Sequence, residues 1–277
     1  MLIGSAEMAA WPTQDGLAPY VEEYWTQGWT VVPNVFTKAE ASVLAGALME
    51  ITGEEQAALL EKNGELRNDG LTDMGPDGTA VPRKTSNPFH KRSTFRELAS
   101  DGRLRGVAAA MLRKPATQTK IFSDQAFCKG PGVGGAKPVH QDNFYFAIDN
   151  SDHVITCWTA LDDTDLDNGC MRLVMRAFKN GLVSHHKTFK DESALHYDWD
   201  ADDETFDASL EVPVLVPAGA TLCWHGAALH GSHANTSDRW RRAWAVHFVS
   251  EDATKDGDAA PIAQHCSVYE DEVAARL

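Results

Sequence analysis

The sequence has no apolar run of about 18 residues, so we expect no transmembrane helix. Its first residues, Met1 to Trp11, lack a basic stretch followed by an apolar stretch, and a secretory signal is therefore not expected. Cationic residues are scarce, with 25 Lys and Arg against 40 Asp and Glu, which gives a net charge of −15. Because phosphate binding requires clustered positive charge, this balance argues against nucleic acid or an anionic membrane as a partner.

Cysteine is also sparse, and no CxxC pair is present, so a zinc–thiolate site is not expected. The five cysteines lie mostly in apolar, strand-like runs, which predicts buried, reduced thiols and a cytoplasmic protein. They are Cys128, Cys157, Cys170, Cys223 and Cys266. The 277 residues, 43% of them hydrophobic, are enough for a substantial core, and we expect one domain over residues 1–277.

Residues 1–117 predict a mainly helical N-terminal part. Apolar residues recur at three- and four-residue spacing over 17–28 and 37–66, and Thr37 with Glu40 forms a plausible capping box. The stretch 93–112 predicts a further helix, and 29–33 predicts a short strand. Between these elements, 68–88 is rich in Gly, Asp and Pro and predicts a long loop.

Residues 118–250 change to short β-type runs. We expect strands at 119–128, 139–148, 154–161, 170–175, 210–216, 220–224 and 244–249. No regular helices separate them, which favours an antiparallel barrel or sandwich. The segment 187–208 is an acidic insertion, expected to be a solvated loop or lid, and 251–277 is a C-terminal tail.

The predicted strand 139–148 carries a candidate metal site. His140 and Asp142 are two residues apart, so both side chains should leave the same face of the strand. With one more histidine they form a 2-His-1-carboxylate set, the arrangement of Fe(II) oxygenases. His196 and Asp198 have the same spacing, but no strand pattern surrounds them, and we interpret His196 as structural.

The third ligand is left open by spacing, because His225, His230 and His233 lie close together downstream. Three arginines, Arg239, Arg241 and Arg242, lie at the start of the next predicted strand. A histidine ending one strand and an arginine beginning its neighbour can face the same barrel interior. There a guanidinium can pair with the carboxylate of a bound co-substrate.

Several segments together resemble the phytanoyl-CoA dioxygenase family of Fe(II)/2-oxoglutarate-dependent oxygenases. They are residues 28–36, His140-Gln141-Asp142, 157–161, 168–174 and 230–243, and in the last of them Arg241 lies eleven residues after His230. The resemblance implies a mainly β protein whose N-terminal helices pack on a double-stranded β-helix, or jelly-roll, core. It also implies Fe(II) as the metal, and 2-oxoglutarate and O2 as co-substrates.

The same resemblance assigns roles to particular residues. His140, Asp142 and His230 would be the iron ligands, and Arg241 would pair with the distal carboxylate of 2-oxoglutarate. Other positions that would help to hold the co-substrate are Ser232, Trp158, Gln125 and Lys84. A carboxylate at position 142 favours hydroxylation over halogenation, although desaturation, cyclisation and epimerisation use the same iron site.

Candidate substrate-binding residues come from two features. Alternation along the predicted strand places Phe144 and Phe146 on the side of the metal-ligand candidates, either lining a cavity or in the core. In addition, residues 175–178 replace the family's usual Pro-Gly-Ser/Thr-His turn with Met-Arg-Ala-Phe. Our hypothesis is that Arg176 and Phe178 help to shape substrate recognition.

We expect a small-molecule, biosynthetic substrate. An acyl-CoA is not supported, since a protein with a net charge of −15 repels its phosphates unless a local basic segment compensates. Such a segment is either a solvated patch or an entrance for an anionic group; it comprises Arg83, Lys84, Lys91, Arg92 and Arg96. The alternatives are a cupin-like metal enzyme that does not use oxygen, or a binding module. The pair Arg241 and Ser232 argues against the cupin-like enzyme, which does not require it, and the presence of every metal-ligand candidate argues against the binding module.

Overall fold

A computed structural model describes residues 14–67, 70–189, 197–258, 260–262, 266 and 269. In these residues the α-helices are α1 (Ala18–Gln27), α2 (Lys38–Asn63), α3 (Pro88–Lys91), α4 (Ser93–Ser100), α5 (Arg103–Leu112) and α6 (Asp142–Phe146). The first strands are β1 (Trp29–Val32), β2 (Thr72–Met74), β3 (Ala80–Pro82), β4 (Lys84–Ser86), β5 (Thr119–Lys129), β6 (Lys137–His140) and β7 (Val154–Ala160). The others are β8 (Met171–Val174), β9 (His185–Phe189), β10 (Tyr197–Ala201), β11 (Glu211–Val214), β12 (Thr221–His225), β13 (His230–Ser232) and β14 (Arg241–Ser250).

Two antiparallel sheets form the centre of the described chain. The larger has the strand order β1-β12-β7-β14-β5-β4, and the smaller has the order β11-β8-β13-β6. Trp158 and Trp224 from the larger sheet share one buried cluster with Leu173 and Val214 from the smaller sheet. The two sheets therefore pack face to face as a jelly roll, which confirms the expected fold class.

Helices cover the outer face of the larger sheet. Leu48 of α2 and Met111 of α5 belong to the same buried cluster as Trp244 and Phe248 of β14. Because side chains alternate along a strand, β14 presents these aromatic residues to the helices and its other residues to the barrel interior. No helix among the described residues is long and apolar enough to span a membrane.

Local chemistry sets the position of the longest helix. Thr37 and Glu40 form the expected capping box, in which each side chain accepts a hydrogen bond from the other residue's backbone N–H, and so caps α2. Before this helix the chain passes close to the turn at Gly219, whose φ is +88°. A Cβ there would lie 2.2 Å from the carbonyl oxygen of Phe36, so the turn requires glycine.

The structure corrects several predicted elements. The expected strand 139–148 ends at His140, and α6 follows it immediately. The expected loop 68–88 contains the hairpin β2–β3 and the edge strand β4, which pairs with β5. The expected helix 93–112 is two helices, α4 and α5, separated at Gly102, where φ is +87°.

The acidic insertion also contains more structure than a solvated loop. Its strands β9 and β10 form an antiparallel hairpin, and Asp198 on β10 is buried. His196 lies outside the described residues. All five cysteines are buried and free, as the sequence predicts.

Candidate metal centre

Three predicted ligands lie together at one edge of the smaller sheet. His140 ends β6 and His230 begins β13, and the antiparallel register places the two residues directly opposite each other. Asp142 is the first residue of α6. Their ligand atoms all lie within 4.8 Å of one another, and all three side chains are buried. The three ligands are therefore brought together by the pairing of β6 with β13 and by the beginning of α6. Alternation of side chains along a single strand does not do this.

Backbone hydrogen bonds to Nδ1 fix the orientation of both imidazoles. Nδ1 of His140 lies 2.9 Å from the carbonyl oxygen of Pro138, and Nδ1 of His230 lies 3.0 Å from that of Ala228. A carbonyl oxygen only accepts, so each Nδ1 carries the proton and each Nε2 presents a lone pair. Oδ1 of Asp142 lies 3.7 Å from Nε2 of His140 and 3.5 Å from Nε2 of His230.

The carboxylate of Asp142 is oriented in the same way. Its Oδ2 accepts hydrogen bonds from Thr156 Oγ1 at 2.6 Å and from Trp224 Nε1 at 2.8 Å. Both donors bind the oxygen that points away from the histidines, which leaves Oδ1 for the site. Hydrogen-bonded partners of this kind orient the ligands of metal centres.

Electrostatics keep the three groups ready for a cation. Burial lowers the pKa of His140 and of His230, so both imidazoles are neutral at pH 7. Burial raises the pKa of Asp142, but the hydrogen bond that its carboxylate accepts from Thr156 favours the charged form, and the pKa lies below its usual value. The carboxylate is therefore ionised.

This donor set fits a divalent metal. Metal–ligand bonds of about 2.1 Å allow two ligand atoms to lie up to about 4.2 Å apart, and both nitrogen–oxygen distances fall within that limit. Two imidazoles and one carboxylate with open positions are typical of non-haem Fe(II). Three acceptors held together with no donor of their own are stabilised by the cation that they bind.

A buried guanidinium lies in the same cavity. Arg241 is 3% exposed, and it donates to the carbonyl oxygen of Gly169 at 3.1 Å and weakly to Ser232 Oγ at 3.4 Å. Its guanidinium carbon is 5.5 Å from the ring centroid of Trp158. Among the described residues no carboxylate lies within ion-pair distance of it, and burial lowers its pKa to about 10. An unpaired buried cation fits an anionic ligand.

The neighbouring arginines, Arg239 and Arg242, are each paired with a carboxylate. Arg242 pairs through two contacts with Asp162, at 2.8 Å and 2.6 Å, and Arg239 pairs with Asp165 at 2.7 Å. Both have their own carboxylate, so Arg241 is the arginine that the site leaves for a ligand.

One cavity of about 200 Å³ joins the three metal-ligand candidates to Arg241. The other predicted co-substrate residues line it as well: Ser232, Trp158, Gln125 and Lys84. Five cationic side chains line the cavity against three carboxylates; they are Arg83, Lys84, Lys129, Lys137 and Arg241 against Asp73, Asp142 and Asp198. The cavity therefore favours anions although the whole chain is strongly acidic.

Asp198 of the hairpin β9–β10 is part of the cavity wall. Arg83 contacts one of its oxygens at 2.9 Å, and Lys137 contacts the other at 2.6 Å. Burial raises the pKa of Asp198, but the two cations outweigh it and hold the pKa below its usual value. No described carboxylate pairs with Lys84 in this way, and burial together with the nearby Arg83 and Lys137 lowers its pKa.

The basic segment is therefore divided between two environments. Arg83 and Lys84 line the cavity, as an entrance for an anionic group requires. Lys91 and Arg92 instead pair with glutamates of α2, and Arg96 donates to backbone carbonyls. Arg83 and Lys84 therefore support the idea that the basic segment forms an entrance for an anionic group, and the other three residues do not.

The two candidate phenylalanines separate in the structure. Phe146 lines the cavity, with its ring centroid 4.7 Å from that of His247. Phe144 does not; it stacks on His185 of β9 with the ring centroids 4.0 Å apart. The expected alternation fails because both residues lie on a helical turn, where successive side chains do not alternate between two faces.

Arg176 and Phe178, the candidates for substrate recognition, are not among the residues that line this cavity. Arg176 is exposed in a left-handed conformation with φ of 62°. Phe178 is buried beneath Gly28 and packs on His225, with ring centroids 4.9 Å apart. Phe178 thus fills the gap between α1 and the end of β12, and it has a packing role.

Of the rival histidines, neither joins the metal-ligand set. His225 points its Nε2 at Asp152, 3.0 Å away, and His233 is exposed. Sequence reasoning missed Thr156 and His247, which alternation could have found. Thr156 shares the inward face of β7 with Trp158, and His247 shares that of β14 with Arg241.

Comparison with known proteins agrees with this site. The sequence profile of the family "Phytanoyl-CoA dioxygenase (PhyH)" matches residues 24–243, more than three quarters of the chain. A phytanoyl-CoA dioxygenase domain-containing protein 1 homolog from Caenorhabditis briggsae is 20% identical over 265 residues, covering 84% of this chain and 91% of the relative.

Solved structures share the fold. EvdO2 from Micromonospora carbonacea var. aurantiaca, complexed with 2-oxoglutarate, superposes with a TM-score of 0.65 at 19% identity, covering 88% of this chain and 94% of that one. The epimerase SnoN, in complex with Fe3+, α-ketoglutarate and nogalamycin RO, gives a TM-score of 0.60 at 20% identity, covering 88% and 87%. With the profile match, the fold and the 2-His-1-carboxylate geometry in place, the chain belongs to the phytanoyl-CoA dioxygenase family of Fe(II)/2-oxoglutarate-dependent oxygenases.

Proposed function

We propose that this oxygenase hydroxylates a C–H bond of a small molecule, with His140, Asp142 and His230 as its iron ligands. One observation carries the proposal: the acceptor set of the metal centre and the unpaired guanidinium of Arg241 line the same buried cavity. A cupin-like metal enzyme without a co-substrate needs no such arginine, and a binding module needs no open metal site.

The protein supplies position and exclusion of water. Held by His140, Asp142 and His230, Fe(II) would supply the redox chemistry that couples reduction of O2 and decarboxylation of 2-oxoglutarate, giving succinate and CO2, to oxidation of the substrate. His140 and His230 offer Nε2 lone pairs fixed by their backbone hydrogen bonds, and Asp142 offers Oδ1. Three protein ligands leave open positions for the co-substrate and oxygen.

Arg241 would bind the distal carboxylate of 2-oxoglutarate. Its guanidinium can pair in a bidentate geometry, and Ser232 Oγ beside it can donate a further hydrogen bond to the same carboxylate. Trp158 and Gln125 line the cavity around this position. Lys84 is a second cavity cation that pairs with no carboxylate among the residues the structure describes, and we assign it to the co-substrate. If Lys84→Met leaves the 2-oxoglutarate Kd unchanged, the lysine instead serves an anionic group of the substrate.

The substrate would lie on the side of Phe146, which is the candidate substrate residue that lines the cavity. The carboxylate of Asp142 occupies a metal position and so favours hydroxylation over halogenation. Epimerisation is the second candidate reaction, because SnoN shares the fold and performs it. That neighbour also holds nogalamycin RO, which supports a biosynthetic substrate for this chain.

Anaerobic spectroscopy tests the proposal. Fe(II) plus 2-oxoglutarate should give the weak visible charge-transfer band of the chelate, and admission of O2 should release succinate. Asp142→Asn should abolish both, whereas Asp152→Asn, at a carboxylate that contacts His225 outside the site, should abolish neither. A folded, metal-loaded protein with no band and no succinate would overturn the proposal.

A further inference from the structure

His247 is a buried histidine beside the metal centre that is neither one of the proposed iron ligands nor one of the proposed co-substrate residues. It is 3% exposed, it lies on β14 directly opposite Thr156 of β7, and its Nδ1 is 2.9 Å from Thr156 Oγ1. Its Nε2 is buried, and within the described part of the chain it has no hydrogen-bond partner. A buried imidazole with one unpartnered nitrogen is uncommon and calls for an explanation.

The direction of each proton follows from the partners. Asp142 Oδ2 is an ionised carboxylate oxygen, which only accepts, and it is 2.6 Å from Thr156 Oγ1. The single hydroxyl proton of Thr156 must therefore point to Asp142. The hydroxyl oxygen is then free to accept, so His247 must carry its proton on Nδ1 and donate to Thr156. This tautomer leaves a lone pair on Nε2, and no N–H is buried without an acceptor.

We propose that His247 is a positioning residue for the metal centre, which acts on Asp142 through the hydroxyl of Thr156. The chain of donors runs from His247 Nδ1 to Thr156 Oγ1 to Asp142 Oδ2, and it ends on the carboxylate oxygen that faces away from the metal position. By fixing the Thr156 hydroxyl, His247 keeps Oδ1 aimed between His140 Nε2 and His230 Nε2.

The surroundings of His247 hold its ring in place. Phe146 packs against it with ring centroids 4.7 Å apart, and β14 fixes its backbone between β5 and β7. Trp224 Nε1 holds the same oxygen of Asp142 from another strand, β12. The carboxylate is thus held by two donors, and the hydroxyl of Thr156 is the one that His247 contacts.

The proposal rests on the iron-ligand assignment above, so its test measures metal binding itself. Co(II), a metal that tolerates air, is titrated into the protein without 2-oxoglutarate, and its Kd is measured by calorimetry and by its absorption bands. Loss of an outer hydrogen bond to a metal ligand costs 10- to 100-fold in affinity. We expect Thr156→Val and His247→Gln each to weaken Co(II) binding by roughly 10- to 100-fold.

Two comparisons separate positioning from general packing. His247→Asn places an amide N–H near the former Nδ1 and should retain most of the affinity, whereas His247→Gln reaches only the former Nε2 position. The double variant Thr156→Val/His247→Gln should bind no more weakly than Thr156→Val alone, since His247 acts through that hydroxyl. His225→Gln is the matched control, because His225 is a buried histidine of the same barrel that contacts Asp152 instead.

The outcomes are distinct. Unchanged Co(II) affinity in His247→Gln, equal losses in His247→Asn and His247→Gln, or losses that multiply in the double variant would each overturn the positioning role while the iron site stands. A folded wild-type protein that binds neither Co(II) nor Fe(II) would overturn the proposed function, and with it the positioning role of His247.

Discussion

Replacing Arg241 with methionine should stabilise the protein without its co-substrate and remove most of its affinity for 2-oxoglutarate. The guanidinium is buried with no carboxylate beside it among the described residues, and its pKa falls from 12.5 to about 10. At about 1.4 kcal/mol for each tenfold change, this fall corresponds to a cost of roughly 3 kcal/mol for keeping the charge inside. The cost is present at every pH below the folded pKa, because the cation is then charged in both states.

Methionine removes that cost and fills a similar apolar volume. It also removes the hydrogen bonds to Gly169 and Ser232, worth about 1 kcal/mol each, so we expect a net gain of about 1 kcal/mol in the free energy of unfolding. Loss of a buried, bidentate partner should weaken 2-oxoglutarate binding by at least about 3 kcal/mol, which is more than roughly 100-fold.

Urea unfolding without 2-oxoglutarate and anaerobic calorimetry with Fe(II) measure the two effects. Arg242→Met is the matched control, since this adjacent arginine pairs with Asp162. The control should lose stability and keep its 2-oxoglutarate affinity. If Arg241→Met were less stable than wild type, or bound 2-oxoglutarate normally, the reasoning about an unpaired cation would be wrong.

Three further predictions concern the site and its support. Asp142→Asn should weaken Co(II) binding by at least roughly 100-fold, measured by calorimetry, because the neutral amide offers no charge to the metal; near-normal binding would contradict its assignment as a ligand. Asp198→Asn should lose about 1–2 kcal/mol at pH 7 in urea unfolding, since its two cationic partners lower its pKa, and the loss should shrink as the pH falls below about 4, where the carboxyl of the unfolded wild-type chain protonates while the folded one stays ionised; a loss independent of pH would refute this. Gly219→Ala should cost more than about 2 kcal/mol, because its Cβ would collide with the carbonyl oxygen of Phe36 at positive φ, and an unchanged unfolding midpoint would show that the turn can relax.

Short-range patterns in the sequence determined much of the architecture. Thr37 and Glu40 predict the start of α2, and short β-type runs predict β5 and β7 near their observed bounds and β14 from its fourth residue onward. These features depend on neighbouring residues and on burial of one face, so they can be read locally. The family motifs likewise single out His230 and Arg241 from their neighbours.

Elements whose stability comes from distant partners could not be read in this way. The hairpin β9–β10 lies in an acidic segment, and Asp198 is buried there because Arg83 and Lys137 reach it from remote parts of the chain. The turn from β6 into α6 also escaped prediction, and with it the positions of Phe144 and Phe146.

The sequence by itself determined which residue types are present for iron and 2-oxoglutarate chemistry, and the order in which the chain supplies them. Only the tertiary structure decided which atoms face each other. The pairing of β6 with β13 brings His140 to His230, and the pairing of β7 with β14 brings Thr156 to His247. The two strands of each pair are far apart in sequence and no hairpin turn joins them, so a local pattern shows which face of a strand is buried but not which residue it meets on its partner.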